Sequence, residues 1–233
     1  MTIEPAAVPR RRVLLLRMLL GRMALGCAVM LAGVAGVAGL LALAGALHPG
    51  SRLLEFDAAM LASMRTNVAP AVLPVAAVLT HLADPITLTV LGFGVALVLL
   101  FQRQWPLALG WVLALGGNGL LNQTLKQVYG RARPLALDGG VLADGLSFPS
   151  GHSSGALVAC GMLSYVALRL LPPRWHQPAL LAAVVLTLAV GASRLLLRVH
   201  FASDVLAGFA SGLAWLALCI TTLECCRSWQ ART

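Results

Sequence analysis

The stretch MALGCAVMLAGVAGVAGLLALAGAL, residues 23–47, runs for 25 residues without one charge. About 20 apolar residues carry a helix across the hydrocarbon core of a bilayer, so this stretch reads as a membrane span. The composition agrees, since 59% of the 233 residues are apolar, 11% are charged and the mean hydropathy is +0.88, far from the balance of a soluble domain. Arg10, Arg11, Arg12 and Arg17 precede the run as the basic region of a signal peptide would. The run is too long for a signal-peptide core, which predicts an uncleaved first span.

Five more uncharged or nearly uncharged runs follow at residues 85–101, 105–125, 153–171, 178–193 and 205–223. The shorter ones are expected to continue for a turn through polar residues that face protein, because unpaired backbone is not tolerated in hydrocarbon. Residues 66–82 form a seventh candidate, but Pro70 and Pro74 weaken it as a continuous helix. Charge decides against it. With six spans, Arg10, Arg11, Arg12, Arg17, Arg22, Arg103, Arg169, Arg174, Arg227 and Arg232 share one side with Glu4 and Glu224, and the other side holds seven basic and six acidic residues. The positive-inside rule then puts both termini in the cytoplasm.

The fold class read from the sequence is therefore all-α: a polytopic membrane protein of six transmembrane helices with an interfacial, partly helical segment at residues 53–82. Leu53, Phe56, Met60 and Met64 fall near one face of that segment at helical spacing; a packed loop fits the pattern equally. The organisation is a cytoplasmic N-terminal arm (1–22), a six-span domain (23–224) and a cytoplasmic tail (225–233). The formal charge of +9 comes from scattered basic residues rather than a basic face, which argues against nucleic acid as a partner. The five cysteines show no zinc-type spacing and no loop framework to staple.

Polar groups collect at one set of span ends. Lys126, Arg131 and Arg133 follow the third span; Ser150 and His152 precede the fourth; Arg194 and Arg198 follow the fifth; His200 and Asp204 precede the sixth. Successive helices return all four ends to the outer side, so cations and two histidines are expected to converge at one depth. Fixed guanidinium and ammonium groups suit a phosphoryl group. Pro149, Ser150, Gly151 and His152 lead into the fourth span, which would aim helix N-terminal N–H groups at the same anion. Ser150 reads equally as a helix cap and Gly151 as a turn residue. His200 and Asp204, four apart, share a helix face, and the carboxylate can hold Nδ1–H and leave Nε2 free to attack. His48, His81 and His176 have no comparable partner and read as packed side chains.

Three motifs carry a resemblance: Lys126, six residues, Arg133 and Pro134; then Pro149, Ser150, Gly151 and His152; then Ser193, Arg194, five residues, His200, three residues and Asp204. In this they resemble the type 2 phosphatidic acid phosphatase and vanadium haloperoxidase superfamily, over residues 126–204 and, through the six-span topology, most of the chain. The resemblance implies a membrane lipid phosphatase with its site on the outer face of a bacterial-type inner membrane. It implies His200 as nucleophile, Asp204 as its support, His152 as acid and then base, and Lys126, Arg133, Arg194, Ser150 and Gly151 as holders of the phosphoryl oxygens. It implies no metal and no cofactor, and the outer side lacks the carboxylate cluster that a magnesium or two-metal site would use.

The expected partners are the bilayer and a lipid phosphate or pyrophosphate, with undecaprenyl pyrophosphate favoured over phosphatidylglycerophosphate and phosphatidic acid. Oligomeric state is not legible. Where the family often has glycine two residues before the nucleophile, this chain has Arg198, expected either to meet a second phosphate or to anchor at lipid headgroups. A lipid binder or transporter using the pocket only to hold a headgroup is the alternative function. A haloperoxidase is expected on a larger soluble chain.

Overall fold

The computed structural model describes residues 10–135 and 144–230. Residues 1–9, part of the expected N-terminal arm, and Arg232, in the expected tail, lie outside the described residues. Among those described, all regular structure is helical: α1 (Arg10–Gly45), α2 (Arg52–Asn67), α3 (Leu73–His81), α4 (Pro85–Phe101), α5 (Trp105–Tyr129), α6 (Gly151–Leu170), α7 (His176–Leu196) and α8 (Ala202–Gln230). Each of the six apolar runs falls in one of α1 and α4 to α8, apart from Ala46, Leu47 and Leu171, just past the ends of α1 and α6. The helix boundaries follow local chemistry. Ser51 accepts Leu54 N–H to start α2, Pro85 occupies the first turn of α4, where it has no partner to lose, and Gly130 ends α5 with φ of 58°, a conformation that glycine adopts without strain.

Four helical stretches, Gly26–Gly45, Gly151–Leu170, Pro173–Leu196 and Ala202–Arg227, are long and apolar enough to cross a membrane. The α4 helix is apolar but has 17 residues, and α2 with Pro70–His81 forms a pair bent by 101°. That pair begins and ends at the same end of the molecule. Asp57 on α2 reaches Arg131 and Ser203, and Thr80 on α3 reaches Arg194. The face of α2 turned to protein carries the buried Asp57 with Met60, Leu61 and Met64, while Phe56 is exposed. This corrects the expected stripe: a buried carboxylate, not Phe56, sits at its centre, because the carboxylate has the largely enclosed Arg131 to meet.

The packing core lies among α4, α5, α6 and α8, around Trp111, Leu107, Met162 and Val158. Trp111 donates its indole N–H to the Gly92 carbonyl at 2.9 Å and ties α5 to α4. Small residues let the helices approach closely, as expected without water to drive association. At Gly208 of α8 a Cβ would lie 2.5 Å from the Ser150 carbonyl at the start of α6. Backbone cannot give way, so only glycine fits. The α1 helix runs antiparallel to α8, with Gly33 against Ala217 and Gly36 against Ala210 and Ala214, which puts the start of α1 and the end of α8 together, opposite the polar end.

Candidate active site

The last turn of α5 presents Lys126, and the left-handed Gly130 turns the chain back so that Arg131 and Arg133 lie over the helix ends. Lys126 donates Nζ to the Leu146 carbonyl. Ser150 is wholly buried and caps α6, accepting Ser153 N–H, and its own N–H donates to the Asp204 carbonyl at 2.9 Å. The first turn of α6 is thereby fastened to the first turn of α8. Lys126, Arg133, Gly151, His152 and His200 line one cavity of about 670 Å³ that continues between α4 and α5 past Leu88, Gly92, Leu115 and Gly119. Its upper end is cationic and its lower part is apolar.

His200 is 2% exposed, and its hydrogen bonds fix its tautomer. Arg133 Nη1 lies 3.1 Å from His200 Nε2, and because a guanidinium can only donate, Nε2 is the acceptor. The proton therefore sits on Nδ1, which faces Asp204 Oδ2 at 3.3 Å. Burial pushes the His200 imidazole down, to about 4, against the pull of the Asp204 carboxylate, so the ring is neutral near pH 7. Asp204 is fully buried and accepts from Arg131 Nη1 at 2.7 Å, from Phe201 N–H at 2.9 Å and from the Ser147 hydroxyl. A carboxylate so surrounded stays ionised and keeps its orientation.

Arg131 does more than its place in the first motif region announced. Its Nη2 lies 2.6 Å from Asp57 Oδ2 while Nη1 holds Asp204, and its guanidinium stacks 4.2 Å over the Phe201 ring. Ser203 donates its N–H to Asp57 at 2.9 Å and completes the cluster. Arg194 is 6% exposed and donates Nη1 to Thr80 at 2.5 Å, while its buried Nε has no hydrogen-bond partner. A buried charged donor without an acceptor is costly, and a bound anion would satisfy it.

His152 is paired with Asp84, Nε2 to Oδ1 at 2.6 Å, and His81 meets the other oxygen at 2.5 Å. Burial alone would raise the Asp84 carboxyl, but the two histidine hydrogen bonds prevail and hold it below the usual carboxylate range. His81 is thus no isolated side chain, and its i,i+3 spacing to Asp84 was the available sequence signal. Arg198 stands apart from the other site residues. It has φ of 58° and closes α7: its N–H donates to the Leu195 carbonyl and that of Val199 to the Arg194 carbonyl, the Schellman pattern with Arg198 at the position glycine prefers. Neither Arg194 nor Arg198 lines the cavity that holds His200, but the Arg194 charge acts on Lys126, His152 and His200, and that of Arg198 on none of the three.

The PAP2 superfamily model matches residues 105–226, more than half of the chain and the whole of the four-helix site. The chain belongs to the PAP2 superfamily. Among curated PAP2 relatives, phosphatidylglycerophosphatase B of Bacillus subtilis is 36% identical over 117 residues, 48% of this chain and 56% of its own. Lipid A 1-phosphatase of Rhizobium johnstonii is 38% identical over 112 residues, 43% of this chain and 41% of its own. The aligned region spans about half the length of these relatives. The crystal structure of a transmembrane PAP2-type phosphatidylglycerolphosphate phosphatase from Bacillus subtilis superimposes with a TM-score of 0.76 at 31% identity, covering 82% of this chain and 96% of that one. LpxE of Aquifex aeolicus shares the fold at a TM-score of 0.56 and 20% identity, over 75% of this chain and 98% of its own. Asp57 and Asp84 precede the matched PAP2 region, so the second carboxylate on Arg131 and the carboxylate on His152 come from outside it.

Proposed function

We propose that this PAP2 protein is an integral membrane lipid phosphatase that removes a terminal phosphate through a phosphohistidine. The observation that carries this reading is the placement of His200 Nε2, 3.1 Å from Arg133 Nη1, in a cavity shared with Lys126 and His152. The lipid phosphate would sit against Lys126, Arg133 and Arg194, with Gly151 and the first N–H groups of α6 completing the cradle. His200 Nε2 attacks phosphorus and the bond to the leaving lipid oxygen breaks. His152 supplies that oxygen's proton, and then takes one from the water that attacks the phosphohistidine. Asp204 keeps Nδ1–H in place and balances the charge that the ring gains. No step calls on a metal, and Asp57, Asp84 and Asp204 already face arginine or histidine.

The apolar lower part of the cavity suits an acyl or prenyl chain, with the headgroup at the cationic end. We favour a monophosphate such as phosphatidylglycerophosphate over undecaprenyl pyrophosphate, because Arg198, the residue available for a second phosphate, closes the end of α7 and, unlike Arg194, exerts no charge effect on Lys126, His152 or His200. Arg198 is read instead as a headgroup anchor. Arg198→Gly should therefore leave the ratio of kcat/KM on undecaprenyl pyrophosphate and phosphatidic acid unchanged, and should raise thermal stability by about 1 kcal/mol as the left-handed strain is relieved. A selective loss of about tenfold on the pyrophosphate would restore it to the site.

The six-span reading takes α1 and α4 to α8 as spans and α2 with α3 as interfacial, supported by the return of α2 and α3 to the polar end and by the basic residues at the opposite end. The site then faces outward from the inner membrane. A cysteine at Gly50 should react with an impermeant reagent in intact cells and one at Arg174 should not; the reverse would overturn the orientation. For the activity itself, the purified protein should release phosphate from phosphatidylglycerophosphate or phosphatidic acid in the presence of chelator, with inhibition by vanadate. Binding without release would make it a headgroup binder.

A further inference from the structure

Asp84 is the N-cap residue of α4, and its side chain makes no capping bond. An N-cap aspartate ordinarily accepts a first-turn N–H. Here Oδ1 is turned to His152 Nε2 at 2.6 Å and Oδ2 to His81 Nδ1 at 2.5 Å. An ionised carboxylate only accepts, so both rings present N–H to it. His152, with Nε2–H so engaged, has Nδ1 as its one nitrogen left for a substrate. The second oxygen of the carboxylate meets His81 on the solvent side, where the His81 side chain is 70% exposed. None of the three motifs includes Asp84, and the matched family region begins at residue 105.

We propose that Asp84 is the positioning residue of His152: it fixes the ring with Nε2–H toward α4, makes Nδ1 the atom that exchanges protons with the lipid oxygen, and stabilises the imidazolium from which that oxygen takes its proton. The same logic governs His200, with the nitrogens exchanged: Asp204 holds Nδ1–H and frees Nε2 for attack. Each histidine thus has its own carboxylate, one within the third motif and one from the neck between α3 and α4. The proposal rests on the reading of His152 as the acid of the first half-reaction.

A plain structural tie between α4 and α6 would show the same contact, so the test must read proton donation rather than activity alone. A lipid alkoxide is a strong base and needs a proton to leave, whereas p-nitrophenolate leaves without one. The ratio kcat/KM reports only the steps up to the first irreversible one, which is formation of the phosphohistidine. For the full-length protein in detergent, His152→Ala should lower kcat/KM on phosphatidic acid by about 100-fold or more and on p-nitrophenyl phosphate by less than about threefold. Asp84→Asn should repeat that contrast at about 10-fold to 100-fold on phosphatidic acid. The double variant should be no slower than His152→Ala, because the two residues act as one unit.

Equal losses on both substrates for Asp84→Asn, no loss on either, or losses that multiply in the double variant, would overturn the proposal and leave Asp84 as a tie between helices. If His152→Ala itself does not distinguish the two substrates, the acid role of His152 fails first, and the proposal falls with it. Vanadate binding by each variant reports an intact phosphate site. Should Asp84→Asn fail to bind vanadate, Asp84→Glu, which keeps the charge and moves it, carries the same comparison and must show the same selective loss on phosphatidic acid.

Discussion

His200→Gln is expected to lower phosphate release from a lipid substrate by about 10⁴-fold or more while vanadate still binds. Glutamine can accept from Arg133 where the ring nitrogen did, at 3.1 Å, and leaves Lys126, Arg133 and Arg194 untouched, so the clamp survives and the attacking atom does not. Asp204→Asn should cost less, because the imidazole remains and loses only the charge that steadies it. The check is a pair of measurements on each purified variant: the rate of phosphate release and the affinity for vanadate. Full activity in His200→Gln would sink the phosphohistidine. Loss of vanadate binding in step with activity would instead mean that His200 is part of the scaffold.

The second large effect concerns stability. Arg131→Met leaves the Asp57 and Asp204 carboxylates, 1% and 0% exposed, without their shared counter-charge. Removing one partner from a buried ion pair costs about 3–5 kcal/mol, since the remaining charge stays desolvated. For a chain of this size that is a fall of roughly 10 °C in the unfolding midpoint. Asp57→Asn should cost less, because Asp204 still balances Arg131. Activity of Arg131→Met should fall as well, since Asp204 loses a donor at 2.7 Å. A midpoint within about 2 °C of the parent protein would mean that water reaches the cluster and that the pair is not desolvated.

What could be read from the chain, and what could not, divides along sequence separation. His200 and Asp204 are four apart and their pairing follows from helix geometry alone. The convergence of Lys126, Arg133, His152 and Arg194 followed from counting apolar runs, because helices that cross and return bring alternate ends together. Asp57 is 74 residues from Arg131 in sequence, and Asp84 is 68 from His152, and no local pattern links them. A lone acidic residue beside an apolar run reads as a surface group until a buried cation is found opposite. Arg198 illustrates another limit. Its left-handed backbone marks the end of α7, and an arginine gives no warning of that where glycine would have.

The cavity has two unlike walls. On one, α6 meets α8 backbone to backbone at Gly208, so the end that carries His152, His200 and Asp204 has no slack for remodelling. On the other, α4 reaches the polar end only through the Asp84 neck and turns Leu88, Gly92 and Phe93 to the cavity. On the proposed lipid phosphatase reading, chemistry and tail recognition are thus separable in inheritance: a lineage could re-address one unchanged reaction to a longer, branched or bulkier lipid by exchanging a few side chains on α4, at positions that no catalytic motif includes.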